Sequence, residues 1–156
     1  LTQSDWTLPA ARNKTKVDLL RPLSKLAQSV LPKPDGKFVF SKGGSSINKR
    51  LAGYKHNFDI LVLDELRKTD AAAQPLPRWT LHDLRRTARS LMSRAGVPTD
   101  HAERCLGHVI GGVRGVYDRH EYHTEKQQAF EALAGIIERI VTGTQAGVVQ
   151  LGRGKR

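Results

Sequence analysis

A single cysteine, Cys105, stands among 156 residues. That count excludes an internal disulfide framework, and a lone thiol fits a reducing compartment. No apolar run approaches the roughly 20 residues that a membrane-spanning helix needs. Acidic side chains are scarce, 15 against 26 Lys and Arg, for a formal net charge of +11 and an isoelectric point near 10.2. Such an excess favours a polyanionic partner through counterion release, without choosing between DNA, RNA and anionic lipid. Apolar residues, at 38% of the chain, are somewhat fewer than usual. The class expected is a soluble globular domain with polar segments, long enough to bury a core without disulfides. The first residue is Leu1, inside what reads as a strand, so the expectation is a piece of a longer protein.

What is present reads as short strands followed by helices. Trp6 to Leu8 and Leu19 to Leu23 are extended apolar stretches around a polar segment in which Asn13 is the turn candidate; together they predict a β-hairpin over about 4–23. Ser24 is an N-cap candidate for a helix to about Leu31, which Pro32 and Pro34 end. Phe38-Val39-Phe40 reads as a short strand or a buried extended run, Gly43 to Ser46 as a loop, and a helix is expected from near Ser45 or Ser46 to about Phe58, continuing through Ile60 to Thr69. Ala71 to Pro77 is linker-like.

The clearest helix spans His82 to Ala95. Leu84, Ala88, Leu91, Met92 and Ala95 share one face, His82, Arg85, Arg86 and Arg89 the other. Thr80 is its N-cap candidate and Gly96 its stop. A helix from Thr99 to Leu106 ends at Gly107. Gly111, Gly112 and Gly115 mark a flexible stretch before Tyr117. A last helix, about Thr124 to Val141, carries a stripe of Phe130, Leu133, Ala134, Ile137 and Val141. The basic, glycine-rich tail over 142–156 is expected to be disordered and to touch phosphates.

Four features carry chemistry: Lys14 in the hairpin turn, His82-x-x-Arg85, Leu106-Gly107-His108, and Tyr117 nine residues after His108. A tyrosine hydroxyl can hold a phosphoryl group. An arginine fork binds the oxygens on which charge grows in the transition state. Imidazoles donate hydrogen bonds or move protons near neutral pH, and a lysine can protonate a leaving hydroxyl.

The stretch WTLHDLRRTARSLMSRAGVPTDHAERCLGHVIGGVRGVYDRHEYH resembles the catalytic block of the tyrosine recombinases, the phage and prophage integrases, with His-x-x-Arg on a helix, then Leu-Gly-His, then a tyrosine nine residues on. The upstream WTLPAARNKTKVDLLRPLS is similar to the family's β-hairpin, whose lysine sits eight residues before Pro-Leu-Ser, as Lys14 does before Pro22. The resemblance covers roughly 4–140. It implies a mainly α fold with a small antiparallel hairpin or sheet (α+β), with 1–141 a partial catalytic domain of hairpin and helical core, about 24–141.

By the same resemblance Tyr117 is the nucleophile, Arg85 binds the scissile phosphate, His82 assists proton transfer, His108 bonds the phosphate and Lys14 is the general acid. Arg86, Arg89, Lys16 and Arg114 are candidate DNA contacts. The product is a 3′-phosphotyrosyl link, so no cofactor, metal or nucleotide, is implied. The resemblance further implies double-stranded DNA as the partner, with a homo-oligomer, a synaptic tetramer, assembling on it in the bacterial cytoplasm at the nucleoid. The family has a further arginine ahead of the hairpin, in a Thr-Gly-x-Arg-x-x-Glu setting that is missing here. These residues alone are therefore expected to be inactive in cleavage.

Other readings compete. Tyr122 is a rival nucleophile, and Lys16 rivals Lys14. His120 and His123 lie three apart near Cys105 in number, but no Cys-x-x-Cys or His-Glu-x-x-His pattern occurs. A helix-turn-helix DNA-binding module over TARSLMSRAGVPTDHAERCLGH accounts for charge and arginines, though not for Leu106-Gly107-His108 followed by Tyr117. A structural basic protein accounts for the charge alone.

Overall fold

The computed structural model describes residues 4–34, 39–42, 45–46, 51–108 and 121–144, with side chains omitted over 41–50. Tyr117, Arg114, His120, the glycines at 111, 112 and 115, and the tail beyond 144 lie outside the described residues. The chain is mostly helical with small antiparallel β pairs. It divides into two compact units: 1–29 with 84–156, and 30–83. No described helix is long and apolar enough to cross a membrane.

The first unit opens with β1 (Asp5–Leu8) and β2 (Leu19–Pro22), paired antiparallel with Asp5 opposite Pro22 and Leu8 opposite Leu19. Asn13 organises the connection, its carboxamide donating to the Val17 carbonyl at 2.6 Å and its carbonyl accepting from the Lys16 N–H at 3.1 Å. The Asp18 carboxylate takes the Ala10 N–H at 2.6 Å. Pro22, which has no N–H to give, sits at the strand's end. Ser24 then caps α1 (Lys25–Val30), its Oγ accepting from the Ala27 N–H at 3.1 Å. The Lys25 N–H finds Glu131 Oε1 at 3.0 Å, so a helix far along the chain satisfies one of the first turn's orphan donors.

Three helices complete this unit's core: α3 (Leu81–Arg94, which begins in the second unit), α4 (Thr99–Leu106) and α5 (His123–Thr142). Met92, Ala102, Cys105, Ala129 and Leu133 form the buried cluster, with Ala88, Leu91, Val97 and Phe130 against it. The expected faces are only partly the observed ones. Leu84 is 56% exposed, and Ile137 and Val141 are exposed at the far end of α5. Along α5 the buried set is Lys126, Ala129, Leu133, Ala134 and Ile136. That helix packs on α4 and β2, and the position of those neighbours selects its buried face. Lys126 is tolerated there because its Nζ donates to the Leu20 carbonyl at 3.0 Å, although burial lowers the ammonium pKa from its ordinary value.

Two glycines end α3 and α4 in the same way. Gly96 (φ 76°) and Gly107 (φ 74°) are left-handed. The next residue's N–H reaches back to the helix, Val97 to Met92 O and His108 to Glu103 O, each at 3.0 Å. They differ in their surroundings. A Cβ on Gly96 would meet nothing within 4 Å, whereas one on Gly107 would come to 2.6 Å from Leu19 Cδ2. Gly96→Ala should therefore cost about 1–2 kcal/mol for the backbone alone, and Gly107→Ala at least about 1 kcal/mol more for displacing the hairpin side chain. Urea midpoints of the two variants measure this, and equal losses would contradict it.

The second unit holds β3 (Ser41–Lys42) paired antiparallel with β4 (Ser45–Ser46), and α2 (Leu51–Thr69). Where a short strand or buried extended run is expected at 38–40, the described residues Val39 and Phe40 form a bend with Phe40 exposed, and Phe38 lies outside the described residues. Ser45 and Ser46 are paired strand residues instead of a helix start, with Ser41 opposite Ser46. The Gly43-Gly44 pair between the strands is itself a sequence signal for a two-residue hairpin. The segment after α2 returns to it through Trp79, whose Nε1 donates to Asp59 Oδ1 at 3.0 Å. Its ring lies 4.3 Å from Lys55 Nζ and edge-on to Phe58. At the start of α3 Asp83 Oδ2 accepts from both the Thr80 N–H and the Thr80 Oγ1 at 2.8 Å, and the Asp83 N–H goes to the Thr80 backbone carbonyl at 2.9 Å, so the Thr80 hydroxyl, expected as the cap, donates and, among the described residues, accepts no helix N–H.

Candidate active site

The site begins at the C-terminus of α4. Its last carbonyls would be orphaned on a buried helix end, and two guanidinium groups take them. Arg21 of β2 donates from Nε to Cys105 O at 2.9 Å and from Nη2 to Leu106 O at 3.0 Å. Arg85 of α3 donates from Nη2 to the same Leu106 oxygen at 2.6 Å. Positive charge is favourable there because the helix dipole is negative at that end. Arg21 also lies over the Trp6 ring, 5.0 Å from its centroid. Burial, and then the charge of Arg85, lower the Arg21 pKa from its ordinary value.

Gly107 turns the chain so that His108 comes back over α4. Arg85 Nη2 lies 2.8 Å from His108 Nε2, which brings together two expected site residues 23 positions apart. The other ring nitrogen, Nδ1, is paired with Glu103 Oε2. Glu103 Oε1 accepts from Arg89 Nε at 2.7 Å, and Arg89 Nη1 reaches Ser93 Oγ at 2.5 Å. Arg85 and Arg89 are one helical turn apart on α3 and so share a face. Glu103 is held as a carboxylate, its pKa lowered first by the His108 hydrogen bond and then by that from Arg89.

His82 lies in the second unit, exposed on the first turn of α3. It borders a cleft of about 560 Å³ lined by Leu51, Lys55, Arg78, Trp79 and Leu81 among others. Lys14 and Lys16 are exposed in the hairpin connection, Lys16 with a left-handed backbone (φ 57°). Arg86 is exposed on α3, while Arg89 directs its guanidinium to Glu103 and Ser93. Tyr117 and Arg114 fall outside the described residues. Two residues that sequence reasoning missed are central to the geometry, Arg21 and Glu103.

Among the described residues no three metal-ligating side chains gather. His123 Nε2 pairs with Asp5 Oδ1 at 2.9 Å, tying α5 to β1, and this bond is the main cause of the lowered Asp5 pKa. Cys105 is enclosed, and burial pushes its thiol up to about 11. Thiolate, not thiol, is the reactive form. The folded chain should therefore resist alkylation at pH 8, with the reaction rate rising to that of a free thiol only as urea unfolds it; fast labelling in native buffer would contradict the packing. No family model, curated protein or solved structure matches this chain.

Proposed function

We propose that this chain is the C-terminal part of the catalytic domain of a tyrosine recombinase of the phage or mobile-element kind, breaking and rejoining double-stranded DNA through Tyr117. The observation that carries the reading is the meeting of Arg85 and His108 at 2.8 Å over the end of α4. An always-charged fork and an imidazole set side by side, with a second arginine behind them, suit the non-bridging oxygens of a phosphodiester. Among the described residues Arg85 Nε and Nη1 make no further hydrogen bond, which leaves one edge of the fork for a phosphate.

In the proposed step the Tyr117 oxygen bonds to phosphorus and the bond to the 5′ oxygen breaks. His82 assists removal of the tyrosine proton, and Lys14 protonates the departing 5′ hydroxyl. The 3′-phosphotyrosyl ester keeps the bond energy, and attack by another 5′ hydroxyl reverses the chemistry. Synapsis of two DNA sites would use a homo-tetramer, and the setting would be the bacterial nucleoid.

The helix-turn-helix reading has α3, the Gly96 turn and α4 in its favour. Against it, α4 buries Ala102 and Cys105 in the core and commits Glu103 to the Arg89–His108 network, so little of it is left to enter a groove. Both readings expect DNA binding that weakens steeply with salt, so binding does not separate them. Incubating the full-length gene product with a nicked duplex does. The recombinase reading expects a protein–DNA adduct that survives detergent and a released 5′-hydroxyl end. Binding without either product would sink it.

A further inference from the structure

We propose that Glu103 is a positioning residue for His108: it fixes the ring's orientation and tautomer, so that Nε2 is the nitrogen presented to a phosphate. The use of that nitrogen in strand cleavage rests on the recombinase reading; the positioning itself does not. A guanidinium has only donors and no acceptor. The two hydrogens on Arg85 Nη2 go to Leu106 O at 2.6 Å and to His108 Nε2 at 2.8 Å. Nε2 is therefore the lone-pair nitrogen, and the ring proton sits on Nδ1, facing Glu103 Oε2. A carboxylate accepts and cannot donate, so this direction is the only one consistent with both partners.

The chain of donors and acceptors starts and ends on α3. Arg89 anchors Glu103 at Oε1, Glu103 holds the imidazole at Nδ1, and the ring's far nitrogen faces Arg85, one turn from Arg89. Glu103 also holds His108 through the backbone, since its carbonyl accepts the His108 N–H at 3.0 Å. The described groups facing this ring are thus Arg85 from α3 and Glu103 from α4, with Arg89 behind the carboxylate and Arg21 of β2 beside the shared Leu106 oxygen. Without Glu103 nothing described here would restrain Nδ1. The ring is half exposed, so it would turn, and it would return to the Nε2-protonated form that free histidine prefers in water. The same logic governs histidines oriented by a carboxylate in hydrolytic triads and metal sites.

Nitrogen-15 NMR of the His108 ring in the 156-residue chain tests this directly, at a pH where the ring is neutral. The wild type is expected to be Nδ1-protonated. Glu103→Asp, whose carboxylate still has an accepting oxygen for each of the two donors, should keep that tautomer, and Glu103→Ala should lose it. Should the alanine variant fail to fold, Glu103→Leu keeps the bulk and accepts nothing. In the full-length gene product Glu103→Ala should slow cleavage roughly 10- to 100-fold with DNA affinity unchanged, and Glu103→Asp should recover most of the rate. An Nε2-protonated wild-type ring, or an unchanged tautomer in the alanine or leucine variant, would overturn the proposal. The expected tautomers together with no covalent adduct from any variant would leave the positioning role standing and remove the recombinase reading instead.

Discussion

Tyr117→Phe is expected to abolish the covalent DNA adduct while leaving DNA affinity within about twofold, since one hydroxyl contributes little to a binding term dominated by many phosphate contacts. Tyr122→Phe is expected to leave both intact. The structure supplies the reason for the second half. Tyr122 is half-buried, and the Arg104 guanidinium lies 3.7 Å from its ring centroid. The His101 ring packs near it, 5.8 Å away between centroids. Its backbone is left-handed (φ 55°) at the start of α5, and its carbonyl accepts the Lys126 N–H at 2.9 Å. These are the contacts of a residue that fixes a helix in place, and phenylalanine keeps the ring that Arg104 faces. A nucleophile would instead have to bring its oxygen to a phosphate. The measurement is adduct yield on a nicked duplex, resolved under denaturing conditions. Loss of the adduct in Tyr122→Phe with retention in Tyr117→Phe would reverse the assignment.

Arg85→Lys should lower the cleavage rate by about 10²–10³ with little change in DNA binding, the usual consequence of removing one preorganised transition-state donor. Lysine keeps the charge and loses the fork. Arg85 places one nitrogen between Leu106 O and His108 Nε2 and has a second edge for the phosphate. A single ammonium cannot do both, so the substitution is not conservative here. A separate, smaller effect on stability follows, because Leu106 O would keep only the Arg21 donor. Rates from single-turnover cleavage and affinities from a titration at fixed salt separate the two effects. A parallel fall in binding and cleavage would assign Arg85 to DNA contact alone.

Much of this arrangement is written locally. Ser24, Gly96 and Gly107 are read correctly because a cap or a left-handed stop needs only its own few neighbours. The hairpin follows from two apolar stretches around Asn13 for the same reason. The face of α5 was legible only in part: Phe130, Leu133 and Ala134 of the expected stripe lie in or against the core, and Ile137 and Val141 do not. Periodicity shows that a helix has an apolar side; the position of α4 and β2 decides which residues meet them, and so Ile136 is buried while Val141 is 80% exposed. Lys126 reads as a surface charge until the Leu20 carbonyl is seen beside it.

The candidate site divides in the same way. Arg85 and His108 are marked by spacing. Arg21 is not, because its acceptors lie 84 and 85 residues further on. Glu103 sits five positions before His108 and looks like one of many solvated helix carboxylates. Only the turn at Gly107, which folds His108 back over α4, brings them together.

Cleavage as proposed leaves a covalent bond between one tyrosine and a DNA 3′ phosphate. The most direct measurement is mass spectrometry of the adduct trapped on a nicked duplex, after nuclease and protease digestion, in the full-length gene product. A single modified peptide is expected, carrying a nucleotide mass through a 3′-phosphate ester on Tyr117. A nucleotide on Tyr122 or on another side chain, or tight DNA binding with no modified peptide at all, would contradict it.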